Sequence, residues 1–384
     1  MSERLFTPRF FVMCGFTFTV FVSAFQLLPT APFHVIDLGG STFASGLFLG
    51  FLTYASAFSA PLTGAIADRA GQRRILITSS IALTLFSIAY AVIADYRVLL
   101  ALVIVHGVFW SGLLSASAAY MTHMLPERRR AEGIAYWGLS SVAAIAVAPT
   151  LGFWVYRHGW TWLCIEAAAL NVLMCVIAVA MKEHEIAPAH HAEPKGLLEW
   201  RVLALSVSLF LYSFGYGGIT SFAAMYADAN HVTPKGIYLT TLALAILVTR
   251  PMSGRLGDRL GYRRVFVPCL LLISLGLGIL AGGGTRASMI VSAIVFGAGF
   301  GTAYPVYAGY VMRDVSPARR GAAFGAIIAA FDTGIGTGST SMGWIIQHHG
   351  FQTAFATAAV ISSLALPYFL AMDSLLRKDR IPNP

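Results

Sequence analysis

The chain has very few charged residues for its length. Only 11% of its 384 residues are Asp, Glu, Lys or Arg, whereas ordinary globular domains carry about 25%. Apolar residues make up 57% of the chain, and the mean hydropathy is +0.72. This balance excludes a soluble enzyme and a secreted disulfide-stabilised domain, and it predicts a chain whose solvent is lipid.

Cysteines are also few, and the short motifs of common enzyme chemistry are missing. The four cysteines lie inside apolar runs without CxxC or His/Cys spacing, so we expect small core side chains rather than disulfides or metal ligands. The sequence contains no GxxxxGK(S/T) phosphate loop, no HExxH and no GxSxG. We therefore expect no enzyme, no ATP-driven transport by this chain alone, no cofactor and no metal.

Apolar runs long enough to cross a bilayer recur along the whole chain. About 20 apolar residues make one helical crossing. The first run, from Phe10 to about Thr30, is too long for a signal peptide and is followed by no A-x-A cleavage site. The sequence therefore predicts an all-α membrane protein with twelve transmembrane helices, at residues 10–31, 43–67, 75–94, 98–121, 133–156, 162–181, 202–225, 233–256, 265–282, 288–312, 322–346 and 353–375.

Basic residues are concentrated in alternate connections between the predicted spans. All but five of the 26 Lys and Arg residues fall in these connections or in the terminal segments, and the exceptions are Arg97, Arg157, Lys235, Arg286 and Arg250. Short cytoplasmic loops are enriched in Lys and Arg, so we expect both termini in the cytoplasm of a bacterium and the protein in its inner membrane. The net charge of +9 then faces anionic lipid, and no nucleic-acid partner is expected.

A polar segment at residues 182–200 separates the first six predicted spans from the last six. It mixes Glu, Pro and Lys with His184, His190 and His191 and contains no cysteine, which is typical of a linker rather than a metal site. We therefore divide the chain into an N-terminal six-helix bundle at 1–181, a cytoplasmic linker at 182–200 and a C-terminal six-helix bundle at 201–384.

One segment occurs twice, 190 residues apart. PLTGAIADRAGQRR at 61–74 is repeated as PMSGRLGDRLGYRR at 251–264, and the same offset aligns Gly107 with Gly297. Because six crossings return the chain to its starting side, the two copies have the same orientation. The chain is therefore predicted to be a duplicated six-helix unit with parallel repeats.

The repeated GxxxDRxGxRR pattern resembles a signature of the major facilitator superfamily, as do the runs GAGFGTAYP at 297–305 and FDTGIGTG at 331–338. Within that superfamily the sequence is most similar to bacterial drug- and sugar-efflux permeases. The resemblance implies two pseudo-symmetric bundles that rock about a central site, and a conformational latch formed by the two motif copies. The implied latch residues are Gly64, Asp68, Arg69, Gly71, Arg73, Arg74, Gly254, Asp258, Arg259 and Gly261.

Such a latch has a simple physical basis. A carboxylate such as Asp68 or Asp258 can accept hydrogen bonds from the free N–H groups that begin a neighbouring helix, where the helix dipole is positive, and glycines let the backbones approach. The resemblance places these partners near Gly321 for the first copy and near Gly133 for the second. The alternative is that the charges only orient the loops.

Two carboxyl groups and one imidazole inside predicted spans have no counterpart in the other repeat. The 190-residue offset replaces Asp332 by valine, Glu166 by alanine and His106 by phenylalanine. Ionisable groups at membrane depth are costly and usually functional, so we treat all three as candidates for proton coupling, with Asp332 first because it lies mid-span beside a run of glycines. The alternatives are a hydrogen-bonded structural carboxyl, a carboxylate that reaches water, and a packing histidine.

The sequence departs from the family at two places that bear on coupling. Val103 stands where many proton-coupled relatives have an arginine, four residues before Gly107. In the fifth span Pro149 and Gly152 match the family's antiporter motif, but alanines or phenylalanine replace its other glycines. Export is still favoured, and we assign Arg250 in the eighth span to gating or structure.

Substrate-binding candidates are polar or aromatic residues of spans expected to line a cavity at mid-membrane, where transporters of this kind bind their solutes. Aromatic residues in membrane helices also pack against neighbours or lipid, so we expect about half of the candidates to touch substrate. The candidates are Gln26, Trp110, Tyr212, Tyr216, Tyr304 and Tyr307.

The sequence thus predicts a secondary transporter that works by alternating access. We expect proton-coupled export of a small organic solute, with protons and the lipid bilayer as further partners and a monomer sufficient for the mechanism. An importer or uniporter of a metabolite or sugar is the alternative within this class. A non-transporting membrane sensor is the alternative outside it, and the linker and C-terminal tail are short for a signalling domain.

Overall fold

The described residues of the computed structural model are 5–126, 129–182, 200–313, 315 and 320–378. They are helical almost throughout. Residues 183–199, which include the three histidines of the predicted linker, lie outside the described part of the chain, and so do both chain termini. In chain order the helices are α1 Pro8–Asp37, α2 Thr42–Ala70, α3 Gln72–Val92, α4 Tyr96–Met124, α5 Arg130–Tyr156, α6 Trp160–Ala180, α7 Trp200–Ala229, α8 Ile237–Leu260, α9 Tyr262–Gly282, α10 Arg286–Met312, α11 Arg320–Ser363 and α12 Ala365–Lys378.

Several helices extend beyond the apolar runs that predicted them, because hydrogen-bonding caps set their ends. The side chain of Thr7 accepts a hydrogen bond from the Phe10 N–H at the start of α1, and Asp95 accepts one from the Arg97 N–H at the start of α4. Such caps satisfy N–H groups that have no partner within the helix. Helix α1 therefore spans 30 residues, or about 45 Å at 1.5 Å per residue.

Over the described residues, ten helical runs are long and apolar enough to cross a membrane. The prediction of twelve differs from this number at two places. The described apolar part of α8, Ile237–Ser253, falls just short of the length required for a crossing. A single run, Gly325–Leu375, covers the last two predicted spans. It changes direction at Gly350, whose φ of 83° is left-handed and breaks the helix inside α11.

Buried side chains form two large apolar clusters, one mainly from α1–α6 with Ile335 of α11, and one mainly from α7–α12 with Val142 of α5. We call these two sets of helices the N-half and the C-half. Within each half the packing repeats: α2 contacts α4 as α8 contacts α10, and α1 contacts α5 as α7 contacts α11. Between the halves, α2 packs on α11, α5 on α8 and α1 on α7. The arrangement has the two-fold pseudo-symmetry expected of parallel repeats.

Large apolar side chains remain exposed on the outer helices, as a lipid-facing surface requires. Examples are Val92 in α3, Val176 in α6 and Leu275 in α9, which are 77%, 60% and 56% exposed. A soluble domain of this size would not present so many apolar side chains to water. The protein is an all-helical membrane protein with many spans.

Candidate functional site

Helices α2 and α11 approach each other closely over one half of their length. A Cβ atom on Gly46 of α2 would overlap the carbonyl oxygen of Ser339 in α11 and lie 3.1 Å from its carbonyl carbon. The Ser339 hydroxyl donates a hydrogen bond of 2.8 Å to the Gly46 carbonyl oxygen, and the Tyr54 hydroxyl and Thr337 Oγ1 are 2.8 Å apart. Glycine thus allows the two backbones to meet across the halves.

A second contact between the halves lies at the same end of the molecule. Oγ1 of Thr150 in α5 lies 2.8 Å from Oγ1 of Thr240 in α8. The ammonium of Lys235, just before α8, lies 4.9 Å from the centre of the Phe33 ring in α1. These residues join the ends of α1 and α5 to the start of α8. We call this end, which also holds the α1–α2 turn and Gly350, the closed end.

At the opposite end, which holds the α2–α3 and α8–α9 turns, α2 and α11 carry glycines that no described atom of the other half approaches closely. A Cβ on Gly64 of α2 or on Gly325 of α11 would meet no atom within 4 Å. Between described residues, every hydrogen bond that joins the halves lies at the closed end or in the middle of the helices. We call this second end, part of which lies outside the described residues, the open end.

Asp332 lies in α11 where the close contact with α2 stops. Its Oδ2 accepts a hydrogen bond of 3.3 Å from the hydroxyl of Ser56, a buried residue of α2. Tyr304 of α10 lies within electrostatic range of Asp332 and also of Arg250 in α8. Asp332 is therefore an acidic group of the C-half in direct contact with the N-half.

Arg250 faces a different helix of the N-half. A Cβ built on Gly138 of α5 would lie 3.9 Å from the Arg250 Nη2 atom. The Arg250 guanidinium therefore lies against α5 beside Gly138. Arg250 of α8 thus lies beside α5, and Asp332 of α11 lies beside α2. The two side chains place opposite charges at the two places where these helix pairs join the halves.

Aromatic rings of the C-half pack around Tyr304, which lies within electrostatic range of both charges. Tyr216 stacks on Phe300 with ring centres 4.3 Å apart, and Tyr304 meets the Phe331 ring edge-on at 5.3 Å. Tyr216 and Tyr304 keep some exposed surface. Phe331 packs against the apolar clusters of both halves. Aromatic faces beside opposite charges suit a partly apolar solute that carries polar groups.

Two other predicted substrate-binding tyrosines are packed inside the C-half. Tyr212 is fully buried, with its ring against Phe266 and Phe300. Tyr307 is also fully buried, and its hydroxyl lies 3.1 Å from the Ser206 hydroxyl. In this conformation neither presents surface to a solute.

The N-half candidates lie at separate places. Trp110 of α4 is 9% exposed and meets Phe21 of α1 edge-on at 5.8 Å. Gln26 of α1 is completely buried against α5, where a Cβ on Gly152 would lie 2.7 Å from its Cβ. The Gln26 amide lies beside the carboxyl of Glu166 in α6, but neither group makes a hydrogen bond of normal geometry there. Gln26 and Glu166 thus form a second buried polar pair, away from Asp332.

His106 lies within the N-half, between α3 and α4. Its Nδ1 is 2.9 Å from the Tyr90 hydroxyl, and its ring stacks on Phe86 with centres 5.4 Å apart. At the equivalent place in the C-half, Phe296 packs against Gly276. The histidine and phenylalanine of one half therefore occupy the space that a phenylalanine and a glycine occupy in the other. The three proton-coupling candidates do not share one site.

The structure describes the predicted latch residues only in part. Gly71 and Gly261 form the two sharp turns of the repeated motif, with φ of 95° and 87°, which favour glycine. Arg73 donates a hydrogen bond of 2.5 Å to the Val179 carbonyl oxygen. Arg69 and Arg259 are exposed. The side chains of Asp68 and Asp258 and the surroundings of Gly254 lie outside the described residues, so the latch stays a prediction.

Sequence reasoning missed the residues that join the halves, namely Gly46, Gly50, Ser56 and Ser339. The signal for two of them was present, because Gly46 and Gly50 have the small-xxx-small spacing typical of close helix packing in membranes. Ser56 carries no comparable signal, since serines in membrane helices usually bond to their own backbone.

Relatives with similar sequences are transporters. An uncharacterized MFS-type transporter of Salmonella typhimurium is 24% identical over 83% of this chain and 84% of its own length. Another of Burkholderia mallei is 25% identical over 91% of this chain and 88% of its own.

Solved structures with the same fold are transporters too. The nucleoside transporter NupG has a TM-score of 0.74 at 16% identity, with 95% of this chain and 99% of that chain covered. A bacterial homologue of the human lysosomal transporter Spinster, in an inward-facing and occupied conformation, has a TM-score of 0.79 at 16% identity and covers 98% of both chains. The human organic anion transporter MFSD10 has a TM-score of 0.71 at 16% identity over 95% of this chain and all of its own.

The sequence profile of the Major Facilitator Superfamily matches residues 10–232 and 205–383, nearly the whole chain. The repeated motif, the paired helix contacts and the matched relatives agree with that assignment. The chain belongs to the Major Facilitator Superfamily and is a transporter with many membrane spans, not an enzyme.

Proposed function

We propose that this protein is a proton-coupled secondary transporter that exports a small organic solute from a bacterial cell by alternating access. In this proposal it has twelve spans, with the run Gly325–Leu375 crossing twice, and the bundles of residues 1–181 and 201–384 rock against each other. Both termini face the cytoplasm and the protein lies in the inner membrane. Because the open end carries the basic turns, it then faces the cytoplasm, and the conformation is inward-facing.

The observation that carries the proposal is the position of Asp332. Of the three candidates for proton coupling, Asp332 is the one whose carboxyl accepts a hydrogen bond from the other half. A group that couples proton binding to the conformational change must have different surroundings in the two conformations. Only a difference in its proton-binding free energy between them can shift the conformational equilibrium. Separation of α2 from α11 would remove the Ser56 hydroxyl from the carboxylate and replace it with water.

Arg250 supplies the opposite charge in this mechanism. When Asp332 is ionised, its carboxylate, the Arg250 guanidinium and the Tyr304 hydroxyl form a polar centre next to aromatic rings. Tyr304 lies within electrostatic range of both charges. When Asp332 is protonated, the centre carries a net positive charge and binds a cationic solute less well. Exchange of a proton for a solute at this centre couples the two movements.

The test uses purified protein in liposomes that contain a pH-sensitive dye. Candidate solutes are added with and without an imposed pH gradient, and the panel includes nucleosides, organic anions and organic cations because transporters of the first two kinds have this fold. We expect proton movement that depends on one solute in the wild type and is lost in Asp332→Asn. The control is Asp95→Asn, because asparagine also caps a helix.

The outcomes separate the alternatives. Solute movement without proton movement in the wild type would contradict proton coupling and indicate a uniporter or a carrier of another ion. Accumulation of solute with an inward proton gradient, in vesicles of known protein orientation, would indicate an importer. Binding without any movement would indicate a sensor.

A further inference from the structure

A cavity of about 680 Å³ opens on the outer side of the C-half, at the open end of the molecule. It lies beside the turn between α8 and α9, and α10 and the C-terminal helix α12 complete its wall. It is separate from the cluster around Asp332, whose residues do not line it. The transport mechanism proposed above gives it no role.

One side of the cavity is basic. Arg263, Arg264 and Arg313 all line it. Arg263 forms an ion pair of 3.2 Å with Asp373, a residue whose side chain is 3% exposed. Within the described part of the chain, the guanidinium groups of Arg264 and Arg313 have no carboxylate or hydrogen-bond partner. The cavity therefore presents two positive charges that no described carboxylate neutralises.

The other side of the cavity is apolar. Leu260, Val267, Pro268 and Leu370 line it, and Leu260 is 54% exposed. These side chains continue the lipid-facing surface of α9 and α12 below the arginines. Among the described side chains, none caps the N-terminus of α9, which begins at Tyr262 in the cavity wall. Its first turn adds positive dipole to the charge of the arginines.

The equivalent place in the N-half is built differently. The 190-residue offset puts Gln72 at the position of Tyr262 and His123 at that of Arg313. Gln72 Nε2 and His123 Nδ1 lie 2.9 Å apart, so these two side chains bond to each other. Arg264 has a counterpart in Arg74, but Arg313 has none, so the pair of arginines in this cavity is specific to the C-half.

We propose that this cavity binds the headgroup of an anionic phospholipid. The phosphate would pair with Arg264 and Arg313, and an acyl chain would lie along Val267, Pro268 and Leu370. A basic pocket that opens to the bilayer at the level of the headgroups suits this ligand, because the arginines can bind the phosphate and the apolar wall can contact the acyl chain. A soluble phosphate would leave the apolar side unused.

The experiment is native mass spectrometry of the purified full-length protein titrated with phosphatidylglycerol or with phosphatidylcholine of the same acyl chains. We expect tighter binding of phosphatidylglycerol to the wild type. Each of Arg264→Gln and Arg313→Gln should weaken it about fivefold, and both together about thirtyfold. The charge-matched control, Arg97→Gln with Arg286→Gln, removes two exposed arginines at the opposite end of the molecule and should leave that binding unchanged.

Three results would overturn the proposal. Equal binding of phosphatidylglycerol by the wild type and the double variant would exclude the arginine pocket. Equal loss in the control variant would show a general effect of net charge. Competition by free glycerol 3-phosphate at the same concentration would show a site for soluble phosphates rather than lipid. If the double variant is unstable, the two single variants carry the same test.

Discussion

Substitution of Gly46 by alanine should open the closed end of this transporter. The new methyl group would overlap the Ser339 carbonyl oxygen and lie 3.1 Å from its carbonyl carbon, so α2 and α11 must move apart by several tenths of an ångström. Overpacking of this kind costs about 1–3 kcal/mol. The cost falls only on the conformation in which the two helices touch, so the population ratio should shift about 5- to 150-fold towards a state open at this end.

Distances between spin labels measure this shift directly. One label is placed in the α1–α2 turn and another near Gly350, after the four cysteines of the chain have been replaced. We expect a longer distance between these labels in Gly46→Ala. In the control Gly278→Ala, a Cβ meets no atom within 4 Å and the distance should not change.

A second control separates opening from general damage. Gly107→Ala creates a comparable overlap with the Leu52 carbonyl oxygen, but both residues belong to the N-half. It should lower thermal stability and leave the distance between the halves unchanged. The reasoning would be refuted if Gly46→Ala and Gly278→Ala gave the same distance distribution, or if Gly107→Ala opened the closed end as much as Gly46→Ala.

Three further substitutions test individual contacts by thermal unfolding of the purified protein. Gly338→Ala places a methyl group on a backbone oxygen of α7, and we expect it to destabilise the C-half by about 1–3 kcal/mol; an unchanged unfolding temperature would contradict this packing. His106→Phe removes the partner of the Tyr90 hydroxyl and should lower the free energy of unfolding by about 1–3 kcal/mol. Solute-dependent proton flux should persist in this variant. Loss of that flux in a folded variant would show that His106 takes part in proton coupling. Asp373→Asn breaks the ion pair with Arg263 and should cost at most about 3 kcal/mol, because the arginine is 43% exposed and water screens it; no change would show that the pair is neutral for stability.

The fold could be predicted from the sequence because two independent patterns agree. Apolar runs predict membrane helices, and the 190-residue repeat predicts two parallel bundles, which the helix contacts reproduce. Helix ends could not be predicted in the same way. Thr7 and Asp95 cap helices beyond the apolar runs, and Gly350 bends a helical run where hydropathy alone predicts two separate spans.

The candidate site could be predicted only in part. Asp332 stands out because a lone carboxylate inside an apolar run is costly and absent from the other repeat. Its partner Ser56 does not stand out, since a serine costs little at that depth. Gln26 and Glu166 were assigned to different roles, yet the structure brings them together. Neither residue type nor spacing in the sequence indicated that α1 and α6 would place these two side chains beside each other.

The glycines of α2 and α11 explain why sequence alone could not reveal which end of the transporter is closed. Both helices carry glycines towards each end, Gly46 and Gly64 in α2 and Gly325 and Gly343 in α11. In the proposed alternating-access mechanism the same two helices pack closely at one end and then at the other, so each end must keep small residues whether or not it is in contact. The glycine pattern of the sequence is the same in both conformations, so it does not show which one is populated. The population depends on the small difference in free energy between the two sets of helix contacts. Gly46 and Gly343 are crowded, whereas a Cβ on Gly64 or Gly325 would meet no described atom within 4 Å. In the other conformation of the proposed mechanism this asymmetry would be reversed.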